Sequence, residues 1–225
     1  MNFYQQRLAN LRDLGFRPKV IYDIGAAFGT WTDQTEEIFP NSQFYLFEAN
    51  RNKTDFLEKK KHPFFIEVLG DQEGPTIFYS SKMEGQDGGG DSVFRENSTL
   101  YSDQNCEAQH LQMTRLSSLV KKHQLPQPDM IKMDVQGAEK IVILGGIDIV
   151  AATEIVILET QLIQYNQGAA LFLEIANLMD ILGFQIIDLV NVQYIITQSC
   201  PESMIHLEVM FVRKNSKLKR TGILF

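Results

Sequence analysis

The chain has little cysteine, no long apolar run and no excess of positive charge. Its two cysteines, Cys106 and Cys200, stand in no Cys-x-x-Cys or Cys/His spacing and cannot staple a chain of 225 residues. They read as free thiols of a reducing compartment. No apolar stretch approaches the roughly 20 residues of a membrane span. The opening residues, Met1-Asn2-Phe3-Tyr4-Gln5-Gln6, have no basic region leading into an apolar segment, so no signal peptide is expected. A cytoplasmic protein with no membrane partner follows as the expectation. The formal net charge of -7 excludes a general nucleic-acid binder, which needs a positive field. The cations near the end (Arg213, Lys214, Lys217, Lys219, Arg220) read as a solvated basic tail over 214–225.

What is present suits one sizeable core, with 44% hydrophobic and 22% charged residues. No repeat or linker divides the chain. A single domain over 1–225 is expected, with an N-terminal helix in 1–16 and an inserted strand and loop region in 72–115. The most informative stretch is Val20-Ile21-Tyr22-Asp23-Ile24-Gly25-Ala26-Ala27-Phe28-Gly29. It reads as a strand, then a tight glycine turn. A second apolar run, Phe44-Tyr45-Leu46-Phe47, ends in Glu48. An acid closing the second strand of such a unit is placed to accept ribose hydroxyls.

The spacing discriminates among adenosine cofactors. A dinucleotide site wants Gly-x-Gly-x-x-Gly facing a pyrophosphate. Here the middle glycine is missing, Phe28 is bulky, and Asp23 would repel an anion. S-adenosylmethionine carries a sulfonium and an ammonium but no phosphate, and it fits better. Asp23, Gly25, Ala26, Phe28 and Gly29 are therefore expected at its methionine end and Glu48 at its ribose. Asn50, Gly70 and Asp71 are expected to border the adenine.

The pattern along the chain predicts a helix over Tyr4–Leu14, a strand at Val20–Ile24 and a helix capped by Thr30 and running to about Phe39. It predicts a strand at Gln43–Phe47, a charged helix from Asn52 through Lys61 and a strand over Phe64–Leu69. Pro75–Ser80 and Leu111–Thr114 read as strands, with a glycine-rich loop between them. Ser117–His123 reads as a helix, Met130–Val135 as a strand, Ala138–Leu144 as a helix, Glu154–Leu158 as a strand and Ala170–Leu182 as a helix. Phe184–Leu189, Gln193–Thr197 and Leu207–Arg213 follow as strands without helices, so the sheet should close antiparallel. The fold class is α/β: a doubly wound, mostly parallel Rossmann-like sheet of about seven strands, with helices on both faces. Asp23, Glu48, Asp71, Asp134 and Glu159 each fall at a predicted strand end, the edge where such sheets bind ligands.

A second block, Lys132-Met133-Asp134-Val135-Gln136-Gly137-Ala138-Glu139, runs from a strand into a helix. With the turn motif, Phe47-Glu48-Ala49-Asn50, Leu69-Gly70-Asp71, Asp91-Ser92-Val93, Leu144-Gly145-Gly146 and Met210-Phe211-Val212-Arg213, it resembles the FkbM-type S-adenosylmethionine-dependent methyltransferases. The resemblance covers about residues 18–214. It implies methyl transfer to oxygen, commonly a hydroxyl of a sugar or natural-product small molecule. Two departures stand out: Ala49 where a proline usually follows the acid, and Glu208 where an Asp commonly precedes the last strand.

Removing the acceptor's proton calls for a base. Asp134 is the first choice and also borders the cofactor; Lys132 shares its side of the strand. Glu159 is second. Glu139 fits either a helix-dipole role or a function. The histidines, His62, His110, His123 and His206, read as surface or structural. Residues 84–98 read as a lid at the cleft mouth or as a surface insertion, with Ser92, Arg95 and Asn97 touching the acceptor or the cofactor. Magnesium on Asp134 and Glu159 is conceivable chemistry, but no ligand spacing supports it and a metal-free site is expected. The competing readings are a non-catalytic adenosine-binding module and a nicotinamide dehydrogenase.

Overall fold

Strand alternation explains the architecture. In the computed structural model, which describes residues 2–82, 90–98, 101–195 and 203–218, consecutive strand residues bury themselves in two separate cores. Tyr22, Ile24, Ile131, Met133, Val156 and Leu158 enter one core; Ile21, Phe44, Leu46, Met130, Ile155 and Ile157 enter the other.

The elements run α1 (Phe3–Asp13), β1 (Val20–Ile24), α2 (Thr30–Glu36), β2 (Gln43–Glu48), a 3₁₀ turn (Arg51–Lys53), α3 (Thr54–Leu57), β3 (Phe64–Ile66), β4 (Val68–Gly70) and β5 (Gly74–Ser81). Then come β6 (Cys106–Arg115), α4 (Leu116–His123), β7 (Met130–Met133), α5 (Glu139–Gly145), α6 (Ile147–Ala152), β8 (Ile155–Gln161), α7 (Phe172–Ile181), β9 (Phe184–Ile195) and β10 (Ser203–Arg213). Seven strands form the main sheet in the order β3-β2-β1-β7-β8-β10-β9. The first five are parallel, and β10 is antiparallel to both β8 and β9. Every residue of β1 and β8 is buried, as a strand covered on both faces requires. Helices α4 to α7 cover one face; α1 and the Ile38–Phe39 turn after α2 cover the other. This is the expected Rossmann-like class.

Several boundaries differ from the sequence expectation. The strand anticipated over Phe64–Leu69 breaks at Glu67. Its first half joins the main sheet, and its second half pairs with β6 in a separate sheet of order β4-β6-β5. The long charged helix from Asn52 shrinks to a 3₁₀ turn and one α-turn, because only Lys53 and Leu57 are buried and no apolar stripe anchors more. Gly29, in the left-handed region, takes the cap position before α2 that Thr30 was expected to hold. The two strands expected around Leu189 and Gln193 are one bulged strand, β9. Helix α6 was not anticipated, and β6 starts earlier than Leu111.

Two glycine motifs meet by packing. A Cβ on Gly145 would lie 1.8 Å from the Gly70 carbonyl oxygen, so α5 lies directly against β4. Likewise a Cβ on Gly25 (φ 79°) would lie 1.8 Å from the Asp134 carbonyl oxygen. That contact brings the ends of β1 and β7 together. No helix among the described residues is long and apolar enough to cross a membrane.

Candidate active site

Beyond the carboxyl ends of β1, β2 and β7 lies a cavity of about 130 Å³, open to solvent at its mouth. Its walls are apolar where Ile24, Phe47, Val68, Leu69, Phe78 and Val93 contribute. Its charges are Glu48, Glu67, Asp91 and Asp134 against one cation, Lys53. An acidic cavity favours a cationic ligand.

Glu48 is the best-defined group in it. Its Oε2 accepts from the Ala27 amide at 2.8 Å and its Oε1 from the Asn50 amide at 2.8 Å. Each oxygen keeps a lone pair for a further donor. Burial pushes the carboxyl up, and the two amides pull it partly back. Ala27 adopts φ 48° to present its amide, a conformation rare for a residue with a side chain. Four of the five amides of the turn are already engaged. The Gly25 and Ala26 amides donate to the Phe47 carbonyl (2.9 and 3.0 Å), the Ala27 amide to Glu48, and the Gly29 amide to the Ala26 carbonyl (2.7 Å). A pyrophosphate would meet the Glu48 carboxyl and few free amides in the turn. A ribose, an apolar-walled adenine and a sulfonium find what they need.

The expected cofactor residues divide accordingly. Gly25, Glu48 and Asp134 line the cavity. Asn50 stands behind it: its amide holds Glu48, and its side chain donates to Asp91 at 2.7 Å. Ala26 is buried in the core under α2. Phe28 packs edge-on against Phe56 at 4.7 Å, with Lys53 over its ring at 3.7 Å. Gly29 caps α2. Gly70 packs against Met113 and Gly145, and exposed Asp71 gives its carbonyl to Arg115 at 2.8 Å. Neither of these two faces the cavity; Glu67, Val68 and Leu69 do, because the chain turns out of the main sheet one step earlier than the pattern suggested.

Asp23 is fully buried below the cavity floor. Thr32 donates to its Oδ2 at 2.7 Å, while Oδ1 has no hydrogen-bond partner and lies 3.8 Å from Lys132 Nζ. Burial raises its carboxyl, with Lys132 and Thr32 opposing. Lys132 reaches Asp134 Oδ2 at 3.2 Å. Burial disfavours its ammonium, yet Asp134 and Asp23 outweigh burial and raise it.

Asp134 thus stands on the cavity wall, held on one oxygen by Lys132 and on the other by Gln136 Nε2 at 2.7 Å. Gln136 (φ 54°) also donates to Glu159 Oε1 at 3.1 Å. Glu159 is buried, and Tyr165 Oη meets the same Oε1 at 3.2 Å. Burial, then Asp134, Glu139 and Glu208, push its carboxyl well above the usual range. Glu139 caps the turn before its own helix, accepting from the Val135 and Gly137 amides at 3.0 and 3.4 Å, with burial pushing it up to about 7.

His206 was read as surface or structural, with no partner assigned. It has two: its Nδ1 lies 3.0 Å from Tyr165 Oη and its Nε2 3.6 Å from Glu159 Oε2. Pairing of β10 with β8 delivers it, and the two-residue alternation of β10 that puts His206 on the same face as Glu208 was the available signal. Glu208 sits inside β10 opposite Glu159, not in a turn, and accepts from Asn191 at 3.0 Å. His110 and His123 are exposed, and His62 packs on Phe44.

Of the expected acceptor residues, Ser92 lines the cavity; its hydroxyl donates to the Val135 carbonyl at 3.1 Å. Arg95 folds back onto the Tyr101 carbonyl and Asp103. Asn97 bonds the Tyr165 carbonyl (2.7 Å) and Gln167 (2.7 Å). Residues 90–98 are therefore fastened to the loop after β8; the rest of the anticipated lid, and Cys200, lie outside the described residues.

The methyltransferase FkbM domain matches residues 23–186. Among solved structures, precorrin-6y C5,15-methyltransferase from Geobacter metallireducens is 12% identical (TM-score 0.47; 92% of this chain, 87% of that one). A putative hemolysin from Lactococcus lactis is 14% identical (TM-score 0.49; 96% and 88%). The 1,6-didemethyltoxoflavin-N1-methyltransferase of Burkholderia thailandensis, solved with S-adenosylhomocysteine, is 11% identical (TM-score 0.44; 94% and 79%). No curated protein matches. Because the family match spans most of the chain, the chain belongs to the FkbM methyltransferases, enzymes that take their methyl group from S-adenosylmethionine.

Proposed function

We propose that this methyltransferase acts on a hydroxyl of a small-molecule or carbohydrate acceptor, with Asp134 as the base. The observation that supports this reading is a carboxylate on the cavity wall gripped by Lys132 and Gln136. When bound, S-adenosylmethionine supplies an electrophilic methyl group on a sulfonium. Glu48 uses its remaining lone pairs for the ribose hydroxyls. Val68, Leu69 and Phe78 enclose the adenine, and Gly25 and Ala27 border the amino-acid end.

The chain's own work is orientation and proton removal. Lys132 and Gln136 fix the Asp134 carboxylate, which takes the acceptor's hydroxyl proton. Glu159 lies behind Gln136 and steadies it rather than touching the acceptor. Tight capping of Val135 and Gly137 by Glu139 keeps the intervening turn in place.

The test is S-adenosylhomocysteine release with purified protein against a panel of hydroxylated sugars and small scaffolds, beside the corresponding amines. Turnover on hydroxyls alone supports the reading, and turnover on amines alone overturns it. Thermal melts with S-adenosylmethionine and with NAD address the alternative cofactor: a ligand at 100 times its Kd stabilises by about 2.7 kcal/mol.

A further inference from the structure

Glu159, Tyr165 and His206 come from β8, the loop after it and β10, and they close a ring. Glu159 Oε1 meets Tyr165 Oη (3.2 Å), Tyr165 Oη meets His206 Nδ1 (3.0 Å), and His206 Nε2 faces Glu159 Oε2 (3.6 Å). The ring touches the base through one group, the Gln136 amide, whose two hydrogens go to Asp134 and Glu159.

We propose that Glu159, Tyr165 and His206 form a proton-holding triad that keeps Gln136 on Asp134, with His206 as a positioning residue for methyl transfer. This rests on Asp134 being the base. Counting protons carries the argument. Each of the three links needs one hydrogen between its heavy atoms. With Glu159 ionised and His206 neutral, the ring has two, one from the tyrosine and one from the imidazole. A third proton, on Glu159 or as imidazolium, fills every link and removes the net negative charge.

The surroundings favour that third proton. Asp134 from the end of β7, Glu139 from α5 and Glu208 from β10 all press on Glu159, and Lys132 from β7 opposes them. Burial makes a lone charge costly there. While the proton stays, Glu159 makes no second anionic claim on Gln136 or Lys132, and both serve Asp134. When it leaves, a second buried anion competes for them. The backbone strain of Gln136 is consistent with this duty, since its φ of 54° aims the amide between the two carboxyls.

Nitrogen-15 NMR of the four histidines reads the triad without turnover. His206 is assigned by its loss in His206→Asn. In the wild type it should be neutral at pH 7, with one ring nitrogen protonated in a fixed tautomer. In Glu159→Gln the carboxyl that holds the ring's third proton is gone, so the fixed tautomer of His206 should relax toward a mixture. Should Glu159→Gln fail to fold, Tyr165→Phe serves, and the tautomer preference should relax. In the turnover assay His206→Asn should move the alkaline limb of the pH profile to lower pH while the calorimetric Kd for S-adenosylmethionine holds within about 2-fold. A His206 tautomer indifferent to both substitutions overturns the triad. So does a His206→Asn profile lowered equally at every pH. Full turnover in Asp134→Asn would instead remove the base reading while leaving the NMR result standing.

Discussion

The two halves of the ligand edge hold their acids in different ways. On the β1–β2 side, Glu48 is held by backbone: two amides from neighbouring turns reach its two oxygens. On the β7–β8–β10 side, Asp134 and Glu159 are held by side chains, with Gln136 between them and Lys132, Tyr165 and His206 around. Backbone amides do not titrate and cannot be substituted away singly. Side chains can do both. On the roles proposed above, the first half suits constant recognition of one cofactor, and the second suits chemistry.

The sharpest way to test that contrast is Asp134→Asn. The amide keeps the shape and can still meet Gln136, but it cannot take a proton. Turnover should fall about 10²–10⁴-fold, the usual range for general acid–base catalysis. S-adenosylmethionine affinity in calorimetry should change little. A loss of affinity as large as the loss of turnover would make Asp134 a binding group and erase the division of labour.

Glu48→Gln tests the other half. It keeps one oxygen for an amide and puts an NH2 where the second amide and a ribose hydroxyl need an acceptor. Hydrogen bonds to charged groups contribute about 1.5–3 kcal/mol, so affinity should weaken roughly 10–100-fold. The pH profile of turnover at saturating cofactor should keep its shape. A displaced profile would mean that the two halves are coupled.

The same contrast governs what could be read from sequence. Asp23, Gly25 and Glu48 are fixed by short spacings within one strand–turn–helix–strand unit and Asp134 by a second strand-to-helix block, and alternating apolar runs predicted five of the seven main-sheet strands in nearly the right places. The fold class followed from that. Even so, spacing did not separate ligand contacts from packing. Gly70 and Gly145 meet each other, and Ala26 and Phe28 turn into neighbouring apolar groups. Position 206 was half legible, its face set by the alternation of β10 but its partner not. His206 reaches Glu159 only because β10 inserts between β8 and β9, a register that no local pattern encodes. The split at Glu67 was equally hidden, because both halves are short apolar strands and only their partners differ.

Glu139 lies between the two regimes, since its carboxylate accepts backbone amides yet titrates. Its folded-state pKa is raised from the ordinary 4.5 to about 7, chiefly by burial. The folded chain therefore holds this proton longer than the unfolded one. Its contribution to stability is full below pH 4.5 and is lost as pH rises through about 7. Glu139→Gln keeps an oxygen for Val135 and Gly137 and deletes the titration. The wild type should lose stability relative to this variant across that window, by at most on the order of 3 kcal/mol. Melting temperatures at pH 4.5 and 7.5 measure it. A difference between the proteins that is the same at both pH values would show that the carboxyl does not titrate there.

The smallest effect should come from Asn97→Ala, and it decides what the 90–98 segment does. The Asn97 side chain is exposed and bonds Gln167, while its backbone amide, kept in the variant, bonds the Tyr165 carbonyl. The Phe94 carbonyl accepts from Asn166, and the Gln167 amide donates to Arg95, so the segment is fastened at several points. Losing one exposed hydrogen bond should cost no more than about 0.5 kcal/mol. The KM for the acceptor should not move, because the side chain points along the loop junction and not into the cavity. A tenfold rise in that KM at unchanged stability would put Asn97 on the acceptor. It would also extend the catalytic half of the edge outward, onto a loop that the structure ties to Tyr165 of the triad.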